Sequence, residues 1–164
     1  IPKRLGLRDG IDALGHAVTI DEPLGLHPKL PSLLLSAAAG SAISLGVKPS
    51  AASLLLVAHG SEKSTHSADV ARQICSSMAQ ESVFAQVDVA FLEEPPLFAE
   101  ALAACPRPTF VLGLFAGGGL HADEDMHRIV GALDDPKVLI VEQLGGYASI
   151  IELVVTSLSE PENR

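Results

Sequence analysis

The chain has 164 residues, enough for one ordinary domain whose core needs neither a disulfide nor a metal to fold. Its net charge of −9, with eleven Lys and Arg scattered singly apart from Lys3 and Arg4, argues against a nucleic-acid binder, which would need a basic patch. The stretch that most suggests a membrane span, residues 33–47 (LLLSAAAGSAISLGV), is too short and carries three serines and two glycines. It also begins too far in, behind Pro23, Pro28 and Pro31, to be the apolar part of a signal peptide, and it reads as a helix buried on one side. Cys75 and Cys105 show no paired spacing and read as core thiols of a reducing compartment, which predicts a cytoplasmic protein.

In chain order, residues 1–14 read as a helix interrupted by Gly6 and Gly10, and residues 16–20 as a short strand. Pro28 is suited to open a helix that runs to about Ala42, and residues 46–53 have the composition of a linker. From there the pattern becomes regular. Residues 54–58 are a short apolar run bounded by turn residues, the mark of a strand buried on both faces. A helix follows over about 65–79, with Ala68, Ala71, Ile74, Cys75 and Met78 at helical spacing. Further strands are expected at 83–92, 109–115 and 138–141, and further helices at 96–104, 123–133 and 149–158. Strands alternating with helices of this length predict βαβ units, a parallel sheet and right-handed crossovers.

One internal echo bears on the domain organisation. Ile20, Glu22, Leu24, Gly25 and Leu33 recur at a constant offset as Ile140, Glu142, Leu144, Gly145 and Leu153, and Leu34, Leu35 and Ser36 are matched by Val154, Val155 and Thr156. The expected division is therefore residues 1–48 as the tail of a preceding copy and residues 49–164 as a domain of the same kind. On this reading the natural polypeptide extends upstream into a unit with a histidine loop of its own.

Three groups stand at the ends of three different strands: His59 in VAHGS, Glu93 in FLEEP, and His121 in LFAGGGLHADED. The carboxyl edge of an open α/β sheet is where ligands bind, at the point where connections leave on opposite faces. Two imidazoles and a carboxylate make an open, borderline metal site that suits Zn, Co, Ni or Fe(II), whereas Mg or Ca would ask for oxygen ligands throughout. His16, His27, His66 and His127 show no such arrangement, and His66 and His127 are expected on helix surfaces. A glycine-rich turn before a helix can also cradle a phosphate, but Asp123, Glu124 and Asp125 follow it here and would repel an anion. With neither GxGxxG nor GxxxxGK[ST] in the chain, a nucleotide site is not expected.

Residues 53–160 resemble the class II chelatases that insert a divalent metal into sirohydrochlorin, the cobaltochelatase and siroheme ferrochelatase family. The resemblance rests on VAHGS at 57–61, FLEEP at 91–95, VLGLFAGGGLHADEDM at 111–126 and VLIVEQLGG at 138–146, in the family's order and spacing. It implies a three-layer αβα sandwich around a four-stranded parallel sheet of order 2-1-3-4, with two such units forming the cleft by dimerisation or tandem fusion. It also carries the family's metal-binding histidines onto His59 and His121 and its cleft glutamate onto Glu93, and so makes these three both the metal ligands and the catalytic residues.

Gly113 departs from the family's usual proline, and Ala116 and Gly117 are smaller than usual, which predicts a wider pocket floor. The leading Ile1-Pro2 resembles the Ile-Pro that the family has after its second histidine, where this chain has Met126-His127. The function expected is insertion of cobalt, iron or nickel into sirohydrochlorin or a related polycarboxylated tetrapyrrole. No tightly bound cofactor is expected, because metal and macrocycle are both substrates. The alternatives are a metal- or tetrapyrrole-binding module of a larger protein without turnover, and a purely structural α/β domain.

Overall fold

The computed structural model describes residues 23–61, 66–115, 120–141, 151 and 153–155, with 66, 120 and 121 given as backbone only. Its elements are α1 (Leu30–Ser44), β1 (Ser53–Ala58), α2 (His66–Gln80), β2 (Gln86–Phe91), α3 (Phe98–Ala104), β3 (Thr109–Gly113), α4 (Leu120–Leu133) and β4 (Val138–Val141). Short 3-10 turns occupy Leu24–Leu26 and Pro49–Ala51, and residues 151 and 153–155 are helical. The expected helix at 1–14, the expected strand at 16–20, the glycine turn at 117–119 and most of the expected helix at 149–158 lie outside the described residues.

The four strands form one parallel sheet of order β2-β1-β3-β4. Every residue of β1 is buried, as an apolar run without alternation requires. Its side chains divide by parity. Leu54 and Leu56 enter a cluster with Leu34, Leu35 and Ala38 of α1 and with Ile74, Cys75 and Met78 of α2. Leu55 and Val57 enter a second cluster with Phe98 and Leu102 of α3 and with Ala122 and Met126 of α4. Helices therefore cover both faces, and the αβα sandwich of order 2-1-3-4 is as the family resemblance implies.

The parity also locates the switch point. The helix after β1 lies on one face and the helix after β3 on the other, so the crevice between these neighbouring strands opens at their carboxyl ends.

Several boundaries differ from expectation for local physical reasons. The helix expected from Pro28 begins at Leu30 with Pro31 in its first turn, where a missing N–H costs nothing. The strand expected from residue 83 begins at Gln86, because Ser82 takes φ 53° and Phe84 drops its ring into the core 6.2 Å from that of Phe110. The helix expected from Pro96 begins at Phe98. The Pro96 carbonyl accepts from the Phe91 N–H at 2.9 Å, and Leu97 is extended as the cap. β3 ends at Gly113 and not at Phe115. The helix expected from Asp123 begins at Leu120, so His121 belongs to its first turn and not to the preceding loop. Asp123 then also falls in that turn, where a carboxylate favours the helix dipole.

α1 packs on the same face as α2 and shares one core cluster with β1, β3 and Val141 of β4. It thus covers the half of that face that α2 leaves open. The 3-10 turn before it sits close to α2, since a Cβ at Gly25 would lie 3.1 Å from Val70 Cγ1. Among the described residues no helix is long and apolar enough to cross a membrane.

Candidate active site

β1 ends at Ala58, and the next two residues turn the chain out of the sheet. Gly60 has φ +74°, a left-handed conformation that a side chain disfavours. A Cβ there would stand 3.0 Å from Phe91 Cβ and 2.9 Å from Glu94 Cγ, so glycine is required on both counts. The turn is held against the loop after β2, because the His59 carbonyl accepts from the Glu93 N–H at 3.0 Å and the Ala58 carbonyl from the Leu92 N–H at 3.1 Å. Strand pairing is thereby prolonged just beyond the sheet, and this brings the two loops together.

The side chains of His59 and Glu93 meet at that junction. His59 Nδ1 is 3.5 Å from Glu93 Oε2 and 3.4 Å from the Gly60 carbonyl oxygen, and both side chains are a little over half exposed, 55% and 54%. This is an open imidazole–carboxylate pair at the edge of the sheet. It can offer a cation one nitrogen and one oxygen donor, or it can take up a proton from a bound molecule.

His121 lies in the first turn of α4, beyond the end of β3, the strand that neighbours β1 in the sheet. The backbone thus brings all three expected site residues to the carboxyl edge, His59 and Glu93 with their side chains in contact. Among the described residues no group of three or more His, Cys, Asp and Glu side chains is arranged to hold a metal ion. His127 lies on the outer surface of α4, as expected, with Nδ1 3.3 Å from Asp123 Oδ1 one helical turn away. His27 accepts from the Lys29 N–H at 3.2 Å.

The space over Gly113 is filled. A Cβ there would lie 2.8 Å from two ring carbons of Phe115, a buried residue, and 3.4 Å from Met126 Sδ. The expectation of a wider floor is therefore corrected at this position: the phenylalanine two residues on folds back into the room that glycine leaves.

Sequence reasoning singled out Glu93 and passed over its neighbour Glu94. The structure separates them. Glu94 is only 16% exposed, and its Oε1 accepts from the Ser61 N–H at 3.4 Å. Its Oε2 lies 3.9 Å from Nη2 of Arg72, whose guanidinium stands 4.8 Å over the ring of the buried Phe91. No local signal in FLEEP tells the two glutamates apart.

The thiols take no part in this edge of the sheet. Burial, and next the charge of Asp88, push the Cys75 thiol up to about 11 and raise that of Cys105, so both stay protonated and unreactive at neutral pH.

A model of the CbiX family matches residues 53–161, which span all four strands and include His59, Glu93 and His121. The chain belongs to the CbiX family. Among solved structures the fold is similar to that of CbiX described as the terminal enzyme for biosynthesis of siroheme in denitrifying bacteria, with TM-score 0.77 and 27% identity. That match covers 87% of this chain and 62% of the other. The chain thus spans less than two thirds of that relative. The covered share is also more than residues 53–164 make up, so the likeness reaches upstream of β1.

A multi-domain protein of Deinococcus radiodurans, described as structurally similar to chelatases but with two additional novel domains, shares the fold with TM-score 0.67 and 20% identity. That match covers 87% of this chain and 31% of that protein. No curated protein matches the chain significantly. Membership of the CbiX family agrees with the resemblance to class II chelatases carried by the HGS, FLEEP and GGGLHADED stretches.

Proposed function

We propose that this member of the CbiX family inserts a divalent metal ion, cobalt, iron or nickel, into sirohydrochlorin or a related polycarboxylated tetrapyrrole. The observation that carries the proposal is the His59–Glu93 pair, 3.5 Å apart and open to solvent beside the crevice between β1 and β3. In the reaction M²⁺ enters the macrocycle and two pyrrole N–H protons leave, so the site must hold a partly desolvated cation and accept protons. A neutral imidazole can do either, and a carboxylate beside it offers the cation a second donor. His59 and His121 are assigned as metal ligands and proton acceptors, with Glu93 assisting both. Metal and macrocycle are both substrates, and no tightly bound cofactor is needed.

The cleft is completed by a second unit of the same kind, joined by dimerisation or by tandem fusion, with residues 1–48 as the tail of a preceding unit and 49–164 as the unit itself. The repeat supports this, as does the unequal burial of its two halves: Leu34 of α1 is fully buried, whereas its counterpart Val154 is 38% exposed. The two buried thiols fit a reducing compartment and hence the cytoplasm.

The test is anaerobic incubation with sirohydrochlorin and Co²⁺, Fe²⁺ or Ni²⁺ in turn, followed by absorbance. His59→Ala, Glu93→Ala and His121→Ala are expected to abolish insertion while the melting temperature stays close to that of the wild type. Binding of metal or tetrapyrrole without turnover would favour a carrier module, and full activity in the His59→Ala variant would refute the site.

A further inference from the structure

Glu93 and Glu94 are chemically alike, yet the fold uses them differently. Glu93 faces His59 and is half exposed, whereas Glu94 is turned under the 59–61 turn and is largely buried. The loop after β2 therefore grips that turn on both sides of Gly60. On one side the Glu93 N–H donates to the His59 carbonyl at 3.0 Å, and on the other the Ser61 N–H donates to Glu94 Oε1 at 3.4 Å. The absence of a Cβ at Gly60 leaves the room in which the Glu94 carboxylate lies, with Oε1 only 3.1 Å from where that Cβ would be.

Glu94 is itself held. Arg72 of α2 lies 3.9 Å from Oε2, and its guanidinium is fixed from behind by the Phe91 ring and from the side by Asp69 Oδ1 at 3.5 Å. A guanidinium held over an aromatic face between two carboxylates is restrained in its orientation more than a lysine ammonium would be. A chain of contacts thus runs from α2 through Arg72 and Glu94 to the backbone that carries His59.

We infer that Glu94 is a positioning residue for His59, fixing the turn from which the imidazole projects, and that Arg72 supports it. The inference rests on the proposed function in that His59 is taken to hold the incoming metal. Groups that orient a metal-holding histidine typically change metal affinity about 10- to 100-fold when removed. Glu94→Met and Glu94→Gln separate this role from packing, since both preserve the length of the side chain and only glutamine keeps an acceptor for the Ser61 N–H.

The test uses the full 164-residue chain and two readouts. One is the KM for Co²⁺ and kcat of insertion, and the other is the Co²⁺-induced paramagnetic shift of the His59 ring resonances by NMR, which needs no turnover. In Glu94→Met, Co²⁺ binding at His59 should weaken about tenfold or more with the effect in KM rather than kcat, while Glu94→Gln should stay within about threefold of wild type. A Met variant within about twofold of wild type in both readouts, or Met and Gln variants equally impaired, overturns the inference. Should Glu94→Met not fold, Arg72→Met decides in its place: weakening of about threefold or more supports the chain of contacts, and a smaller effect overturns it. His59→Ala is run alongside. If it inserts Co²⁺ with the KM and kcat of the wild type, both readings fall; if it is dead while Glu94→Met is unaffected, only the positioning role is lost.

Discussion

Replacing Gly60 by alanine isolates the physical requirement on which the site depends, and Gly46 supplies the control. Both glycines have φ +74°, but a Cβ at Gly46 meets nothing within 4 Å, whereas one at Gly60 meets Phe91 Cβ at 3.0 Å and Glu94 Cγ at 2.9 Å. Gly46→Ala should therefore cost only the left-handed backbone strain, about 1 kcal/mol once the lower entropy of the unfolded chain is counted. Gly60→Ala adds overpacking of roughly 1–3 kcal/mol, for a total of about 2–4 kcal/mol. The Glu94 side chain could swing aside, but only by releasing the Ser61 N–H, and Phe91 Cβ is fixed by the backbone of β2. At roughly 2–4 °C per kcal/mol for a chain of this size, Gly60→Ala should melt about 4–16 °C below wild type and Gly46→Ala about 2–4 °C below. Urea denaturation of the three proteins side by side measures the difference. A Gly60→Ala variant no less stable than Gly46→Ala would refute the close packing of the turn against Phe91 and Glu94.

Two further outcomes are expected. Leu34→Ala removes a fully buried side chain of α1 from the core shared with β1 and β3 and should cost about 2–5 kcal/mol in denaturation. A loss under about 1 kcal/mol would mean that α1 can leave the sheet without disturbing it. The Cys75 thiol, raised from 9.0 to about 11, stays protonated in the folded chain while the unfolded chain ionises. Its contribution is complete below pH 9 and is lost as pH rises toward 11, so wild type should lose more stability than Cys75→Ala between those limits, and parallel loss in the two would refute the assignment.

What could be read from the sequence was whatever local composition dictates. The unalternating run at β1, short and bounded by turn residues, reads as a strand covered on both sides. The regular return of strands and helices gives a parallel sheet, and the HGS, FLEEP and GGGLHADED stretches mark one edge of it. Tertiary structure decided the rest, because it turns on contacts between segments far apart in the chain. No local pattern shows that α1 lies beside α2 on the sheet, since an apolar face specifies burial and not the surface that provides it. Nor could composition tell Glu93 from Glu94. Only the approach of the β2 loop to a glycine with positive φ, thirty-odd residues earlier, sends one carboxylate to His59 and the other under the turn that carries it.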